Sequence, residues 1–402
     1  MLDDLETRDP ERRAADLAAI LPEQIARAKA MPGYGQALAE IDPARIVGVK
    51  DLATLPVFRK SDLAELQAAN APFGGLSDHI SNFSHVFQSP GPVYEPGQIE
   101  GDWWRMGRFL RAVGIGRGDI LQNCFSYHMT PAGQMVEAAA RAVGATVFPA
   151  GTGQTELQVQ AAHHLGVTAY VGTPDYLKTL LDAAEAAGLR LRITKAAVSG
   201  GALFPSLRAG YEAAGIACLQ AYATADLGNV AYETVPDQGL IVDEGIVVEV
   251  VRPGTGDPVP VGEVGEVVVT TLTPEYPLIR FATGDLSAVL PGVSTCGRTN
   301  MRLKGWMGRA DQTTKVRGMF VRPEQVAALV ARFDGLVRAR VVVSRKDEKD
   351  EMLVEAEAAG IAASAIESVL PDVLKVRGKV SVVDPGTLPN DGRVIVDERS
   401  YD

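Results

Sequence analysis

Between residues 9 and 45, apolar positions recur at helical spacing. The pattern predicts one amphipathic helix over Glu11 to Leu21 and a second opened by Pro22-Glu23. Pro56 and the run Lys60-Ser61-Asp62 mark a turn into another short helix beginning near Asp62, so residues 1–80 read as mostly helical. From residue 120 the period alternates. Ile120 to Phe125, Thr146 to Pro149, Ala169 to Gly172 and Ala196 to Val198 are short apolar runs expected to be strands. Ala132 to Val143, Glu156 to Leu165 and Pro174 to Ala187 between them carry the helical period. This β-α-β-α order predicts a largely parallel sheet with helices on both faces. After Leu219 the texture changes. Leu240 to Val251 and Gly265 to Leu272 are Val-rich with Gly and Pro punctuation, which predicts a distorted barrel or second sheet. From Gly308 a small α+β unit follows: helix Pro323 to Arg332, strands Ala339 to Ser344 and Met352 to Ala356, helix Ser364 to Leu374, strand Lys379 to Val383. The fold class is α/β, with a large domain over 1–307 and a small one over 308–402.

Length agrees with that division, because 402 residues exceed what one hydrophobic core organises. The net charge, 39 − 50 = −11, argues against nucleic acid or an anionic membrane as a partner. An anionic substrate then requires a locally basic site. The chain has no run of 18 apolar residues, and its acidic opening, Met1 to Glu6, does not resemble a signal peptide. Cys124, Cys218 and Cys296 have neither disulfide-framework nor metal-ligand spacing, and are expected to be buried reduced thiols. These features predict a cytoplasmic protein.

Two segments carry the candidate chemistry. Arg280-Phe281-Ala282-Thr283-Gly284-Asp285 ends a strand-like run with a carboxylate beside a glycine. A carboxylate so placed can accept both hydroxyls of a ribose, and the glycine lets the sugar approach the backbone. Gly308-Arg309-Ala310-Asp311 follows, with Lys315, Gly318 and Pro323-Glu324 in order. Together the segments resemble the adenylate-forming enzymes, closest to the phenylacetate–CoA ligase family. The resemblance covers nearly the whole chain. It implies a mobile small domain, ATP or AMP bound in the cleft between the domains, Mg²⁺, coenzyme A, a small carboxylic acid substrate and a homodimer. Through it, Asp285 binds ribose, Arg309 reaches the nucleotide, Asp311 is the hinge, and the loop of Lys315 and Gly318 faces the pantetheine path.

Tyr222-Ala223-Thr224-Ala225-Asp226 falls where the family has Tyr-Gly-x-Ser/Thr-Glu. The resemblance makes Tyr222 the adenine-stacking residue, Thr224 the α-phosphate contact and Asp226 the Mg²⁺ carboxylate. Taken alone, the segment also reads as a strand-to-helix turn with Asp226 as N-cap. Ser199-Gly200-Gly201 resembles the adenine-side loop. His128, after a predicted strand, is a catalytic candidate as a gate of the acyl pocket, with Tyr127 and Phe148 as walls. A structural histidine is the plainer alternative.

Three places depart from the family pattern. Its phosphate loop aligns on Ser89-Pro90-Gly91-Pro92-Val93-Tyr94-Glu95-Pro96, where Ser89 and Gly91 remain, two prolines delete N–H donors and Glu95 replaces a lysine. Ala225 lacks a hydroxyl. Near the end of the chain, Leu388-Pro389-Asn390-Asp391-Gly392-Arg393 has Arg393 where the family has a catalytic lysine, and the two cations differ in shape. The primary expectation is an AMP-forming acyl-CoA ligase for an aryl or arylacetic acid. The alternative is a degenerate relative that binds nucleotide or acyl-CoA as a sensor.

Overall fold

The computed structural model describes residues 1–402 except 78, 90–91, 308–309, 311, 313, 347–348, 389–393 and 400–402; the side chains of residues 61 and 324 are also left out. The chain divides into two compact units, Met1–Met307 and Gly308–Asp402.

In the large unit, Ile120–Asn123, Thr146–Phe148, Ala169–Gly172, Lys195–Val198 and Ala217–Thr224 pair in parallel. Each crossover runs through a helix that buries one apolar stripe. Gly107–Val113 and Ala132–Val143 pack one core with the sheet, built on Phe109, Leu110, Val136 and Ala139. Thr155–Leu165, Pro174–Ala186 and Pro205–Ala213 contribute Val159, Leu177, Leu180 and Leu207 to a separate core. The alternation of strand and helix seen in the sequence is therefore the doubly covered parallel sheet.

The Val-rich part is antiparallel. It is hydrogen-bonded onto the parallel part through Ala217–Thr224 and Gly228–Glu233, and continues to Ile246–Val251, so that one path joins both halves. Along that path Val264–Thr271 pairs with Phe281–Leu290. The two-residue strand Phe58–Arg59 pairs in parallel with the start of Phe281–Leu290, at Phe281 and Ala282.

The helical opening differs from expectation at Pro22. One helix, Pro10–Ala30, runs through it. Proline removes a single N–H, and the stripe Leu21, Ile25 and Ala28, buried against the antiparallel strands, outweighs that loss. Past residue 30 the segment predicted as helix is mostly turn, with a short 3₁₀ helix at Pro43–Arg45. Trp103 and Trp104 lie in a turn before the helix Gly107–Val113.

In the small unit, Lys379–Val383, Lys349–Ala358, Leu336–Lys346 and Ile395–Asp397 form a sheet in that order. Helices Pro323–Ala331 and Ala363–Val373 share its core through Val326, Leu329, Ile366 and Leu370.

Candidate functional site

Phe281–Leu290 is aligned from beneath by Arg280, which is 2% exposed and has φ +46°. All five of its N–H donors are used. Nε and Nη2 each donate to Glu249 at 3.0 Å. Nη2 also reaches the Gly256 carbonyl at 2.7 Å. Nη1 donates to the Leu55 carbonyl at 2.6 Å and to that of Ala53 at 3.4 Å. Arg280 is thus a buried anchor joining three segments. Five residues on, Asp285 is 9% exposed and accepts from Tyr222 Oη at 2.7 Å and from Trp306 Nε1 at 2.9 Å. Gly284, at φ +73°, turns the backbone there. Tyr222 and Asp285, singled out separately in the sequence, therefore meet, each at a strand position set by the sheet. Trp306 is an addition that sequence patterning did not signal.

Ser199, Gly200 and Gly201 follow the strand Lys195–Val198. The Ser199 hydroxyl is buried and donates to the Ala221 carbonyl at 2.8 Å, which ties this loop to the strand bearing Tyr222 and Ala223. Thr224 Oγ1 accepts from the Leu227 N–H at 3.1 Å. Asp226 lies in the turn between Ala217–Thr224 and Gly228–Glu233, a strand-to-strand connection with no helix to cap.

Around Asp226 a second cluster forms. Lys60, first residue of the helix Lys60–Ala69, bonds Asp226 Oδ2 at 2.7 Å. The parallel pairing of Phe58–Arg59 brings the lysine there. The sequence signalled Lys60 only as part of a turn. Asp226 Oδ1 is buried and meets no hydrogen-bond partner among the described residues. The expected phosphate loop is a hairpin of His85–Ser89 and Val93–Gly97. Within it the Ser89 hydroxyl donates to Glu95 Oε1, while Glu95 Oε2 is buried and unpartnered among the described residues. Burial, and then the charge of Asp226, push the Glu95 carboxyl up to about 8, against the opposing pull of the Ser89 bond and Lys60. Glu95 therefore does not present the exposed anion that its sequence position suggests. It is 1% exposed and holds its proton at neutral pH.

That proton makes stability depend on pH. Between the ordinary carboxyl range near 4.5 and about 8, the folded protein retains a proton that the unfolded chain has released. Its contribution is full below 4.5 and is lost as pH rises to 8. We expect Glu95→Gln to match the parent at pH 5 and exceed it at pH 8.5, by on the order of a few kcal/mol. Melting with chelator present checks this, and parallel pH profiles for the two proteins would refute it.

His128 is exposed, and its backbone N–H donates to the Ser126 hydroxyl at 3.1 Å. Its loop is tied to the hairpin by the Gln88 N–H, which donates to the Met129 carbonyl at 2.9 Å. Tyr127 is pinned, its hydroxyl accepting from Asn123 Nδ2 at 2.7 Å and donating to Glu137 at 2.8 Å. In the small unit, Arg317 and Gly318 both have positive φ between Thr314–Val316 and Met319–Val321, the geometry of a two-residue hairpin turn. Lys315 Nζ stands 5.7 Å from the Phe320 ring centroid. Gly91, Arg309, Asp311 and Arg393 lie outside the described residues.

The cysteines correct one expectation. Cys124 and Cys218 are buried, with thiols pushed up to about 12, but Cys296 is partly exposed. Donors at Ser294, Thr234 and Arg298 outweigh burial and bring its thiol down to about 7. No described helix is long and apolar enough to cross a membrane.

No family model matches the chain. Phenylacetate–coenzyme A ligase of Thermus thermophilus is 31% identical over 86% of this chain and 80% of its own length. The enzyme of the same name from Escherichia coli K12 is 29% identical over 79% of this chain and 76% of its own length. Among solved structures, 2-hydroxyisobutyryl-CoA ligase in complex with 2-HIB-AMP and CoA matches at a TM-score of 0.84 and 25% identity, over 99% of this chain and 92% of that one. Identity at this level over most of both chains accompanies a sheet that joins Tyr222 to Asp285, and the chain belongs to the phenylacetate–coenzyme A ligase family.

Proposed function

We propose that this protein is an AMP-forming acyl-CoA ligase that activates an aryl or arylacetic acid. The hydrogen bond between Tyr222 and Asp285, residues 63 apart in sequence, carries the reading, since it brings an aromatic face beside a carboxylate that can accept ribose hydroxyls, within the strand Phe281–Leu290 and not at its end as the sequence pattern suggests. Relatives named phenylacetate–coenzyme A ligase support the acid, and the CoA ligase that binds 2-HIB-AMP and CoA supports the course of reaction.

In this reading Asp285 accepts the ribose hydroxyls and Tyr222 stacks on adenine beside Ala223 and the Ser199-Gly200-Gly201 loop. Thr224 meets the α-phosphate. The carboxylate oxygen of the substrate attacks the α-phosphorus of ATP and pyrophosphate leaves. The thiol sulfur of coenzyme A then attacks the acyl carbon, AMP leaves and the thiol proton passes to solvent. Asp226 fits a magnesium ion, because its Oδ1 is a buried oxygen without a hydrogen-bond partner among the described residues. Such an ion offsets phosphate charge. Lys60 adds a cation beside Asp226, on the side where the hairpin lacks the family's lysine. Sequence position assigns Arg393 and Arg309 to charge stabilisation, Asp311 to the hinge, Ser89 and Gly91 to the phosphate loop, Lys315 and Gly318 to the pantetheine path, and His128 to the acyl gate. ATP and coenzyme A as substrates make the cytoplasm the site of action.

The binding-module alternative draws on one observation, the commitment of the Ser89 hydroxyl to Glu95. Pyrophosphate release and thioester formation on mixing the protein with MgATP, coenzyme A and phenylacetate, benzoate and hydroxy-acid panels decide between them. Turnover with an aryl acid is expected. AMP or acyl-CoA binding without turnover on any acid would establish the binding module instead.

A further inference from the structure

Asp285 receives a donor on each of its oxygens, Tyr222 Oη on Oδ2 and Trp306 Nε1 on Oδ1. Trp306 lies between the two motif segments, Arg280 to Asp285 and Gly308 to Asp311, and belongs to neither. Strand register brings it to the carboxylate. Arg302–Leu303 pairs antiparallel with Val289 and Leu290, and the chain then continues along the same strand. The Lys304 N–H donates to the Ala288 carbonyl at 2.8 Å, and the Met307 N–H to the Leu286 carbonyl at 2.9 Å. Between them the Gly305 carbonyl accepts from the Ser287 hydroxyl at 2.6 Å. Gly305 takes φ +121°, where an L side chain is strained, although no described atom lies within 4 Å of where its Cβ would stand. The glycine therefore serves the backbone turn that aims the indole, not a need for space. A carboxylate requires such holding. The last torsion of an aspartate is broad and roughly two-fold, so covalent structure sets the plane of its oxygens only weakly. One donor restrains one oxygen, whereas a donor on each fixes the plane.

We propose that Trp306 is a positioning residue for the nucleotide: its indole N–H holds the Asp285 carboxylate so that both oxygens meet the vicinal hydroxyls of a ribose together. This deepens the ligase reading and rests on its placement of ribose at Asp285. Two neighbouring hydroxyls are bound at full strength only by a pair of acceptors already oriented for them, because orienting the pair on arrival costs part of the gain. The site so held selects nucleotides that carry both hydroxyls over those that lack them.

The test is calorimetric titration of the full chain with AMP and with 2′,3′-dideoxy-AMP, which lacks both hydroxyls. The parent should prefer AMP by about 100-fold, the worth of two hydrogen bonds to a charged acceptor. Trp306→Phe keeps an aromatic ring and removes the N–H donor. The preference should then fall roughly tenfold through weaker AMP binding, while dideoxy-AMP binds as it does to the parent. A variant damaged only in its fold loses affinity for both nucleotides alike. That result, or AMP affinity equal to the parent's or above it, overturns the proposal. Should Trp306→Phe fail to fold, NMR of the parent's three indole N–H groups decides. One resonance should shift on saturation with AMP and not with dideoxy-AMP, and three unmoved resonances refute the role. A parent with no preference for AMP removes the placement of ribose at Asp285 and this inference with it. A parent preference that survives intact in the variant removes this inference alone.

Discussion

Replacing Arg280 with alanine is expected to destabilise the large unit by about 3–5 kcal/mol, the cost of stripping one partner from a buried ion pair. Glu249 is 6% exposed, and Arg280 supplies its paired donors. Burial raises the Glu249 carboxyl and Arg280 pulls it back, so the variant should take up a proton there at pH values where the parent carries none. Three carbonyl acceptors, at Ala53, Leu55 and Gly256, lose their donor at the same time. Arg280→Lys should recover little, because an ammonium group lacks the planar fork that meets a carboxylate and several carbonyls together. Arg280→Met combined with Glu249→Leu should be less damaging than Arg280→Ala alone, since it removes both charges and refills the space. Urea unfolding followed by tryptophan fluorescence measures all three variants against the parent. A loss under about 1 kcal/mol for the alanine variant would mean that the anchor is dispensable.

The second large effect falls on binding. Asp285→Ala should weaken AMP and ATP affinity by about 100-fold, the worth of two hydrogen bonds to a charged acceptor. It should also cost about 1–3 kcal/mol of stability, because Tyr222 Oη and Trp306 Nε1 lose the oxygens they donate to. The two consequences separate in Asp285→Asn, which retains one acceptor and the side-chain volume. Its stability loss should be smaller than that of alanine while nucleotide affinity still falls. Calorimetric titration with AMP reads the affinity, and parent-like binding by the alanine variant would remove Asp285 from the nucleotide site.

Much of the scaffold was legible because it rests on local pattern. Ala132 to Val143 was read as a helix with the bounds the structure gives it, since its apolar stripe and the following Gly144 are both sequence features. Tyr222 and Asp285 could be singled out from motif, although their contact depends on sheet order. Lys60 was not legible as a site residue. It reaches Asp226 through a two-residue strand pairing that links Phe58 to Phe281, and no local window contains that information. Glu95 was legible as a residue and misleading as a charge, because burial and the field of Asp226 set its protonation, and both belong to the folded protein. Pro22 misled in the other direction. A rule about backbone donors predicted a break that side-chain burial of Leu21 and Ile25 overrode.

The order of strands in the large sheet also sets a timetable for synthesis. The parallel strands lie between Ile120 and Thr224, so their pairing can begin as soon as that stretch has left the ribosome. Phe58–Arg59, made long before, must wait for Phe281–Leu290 to appear, and the short strand at Arg302–Leu303 closes the antiparallel run later still. Asp285 belongs to that late portion. Its oxygens gain their Trp306 donor only when nearly all of the large unit has been translated, so a nascent chain can complete its parallel half well before the Tyr222–Asp285–Trp306 cluster is assembled.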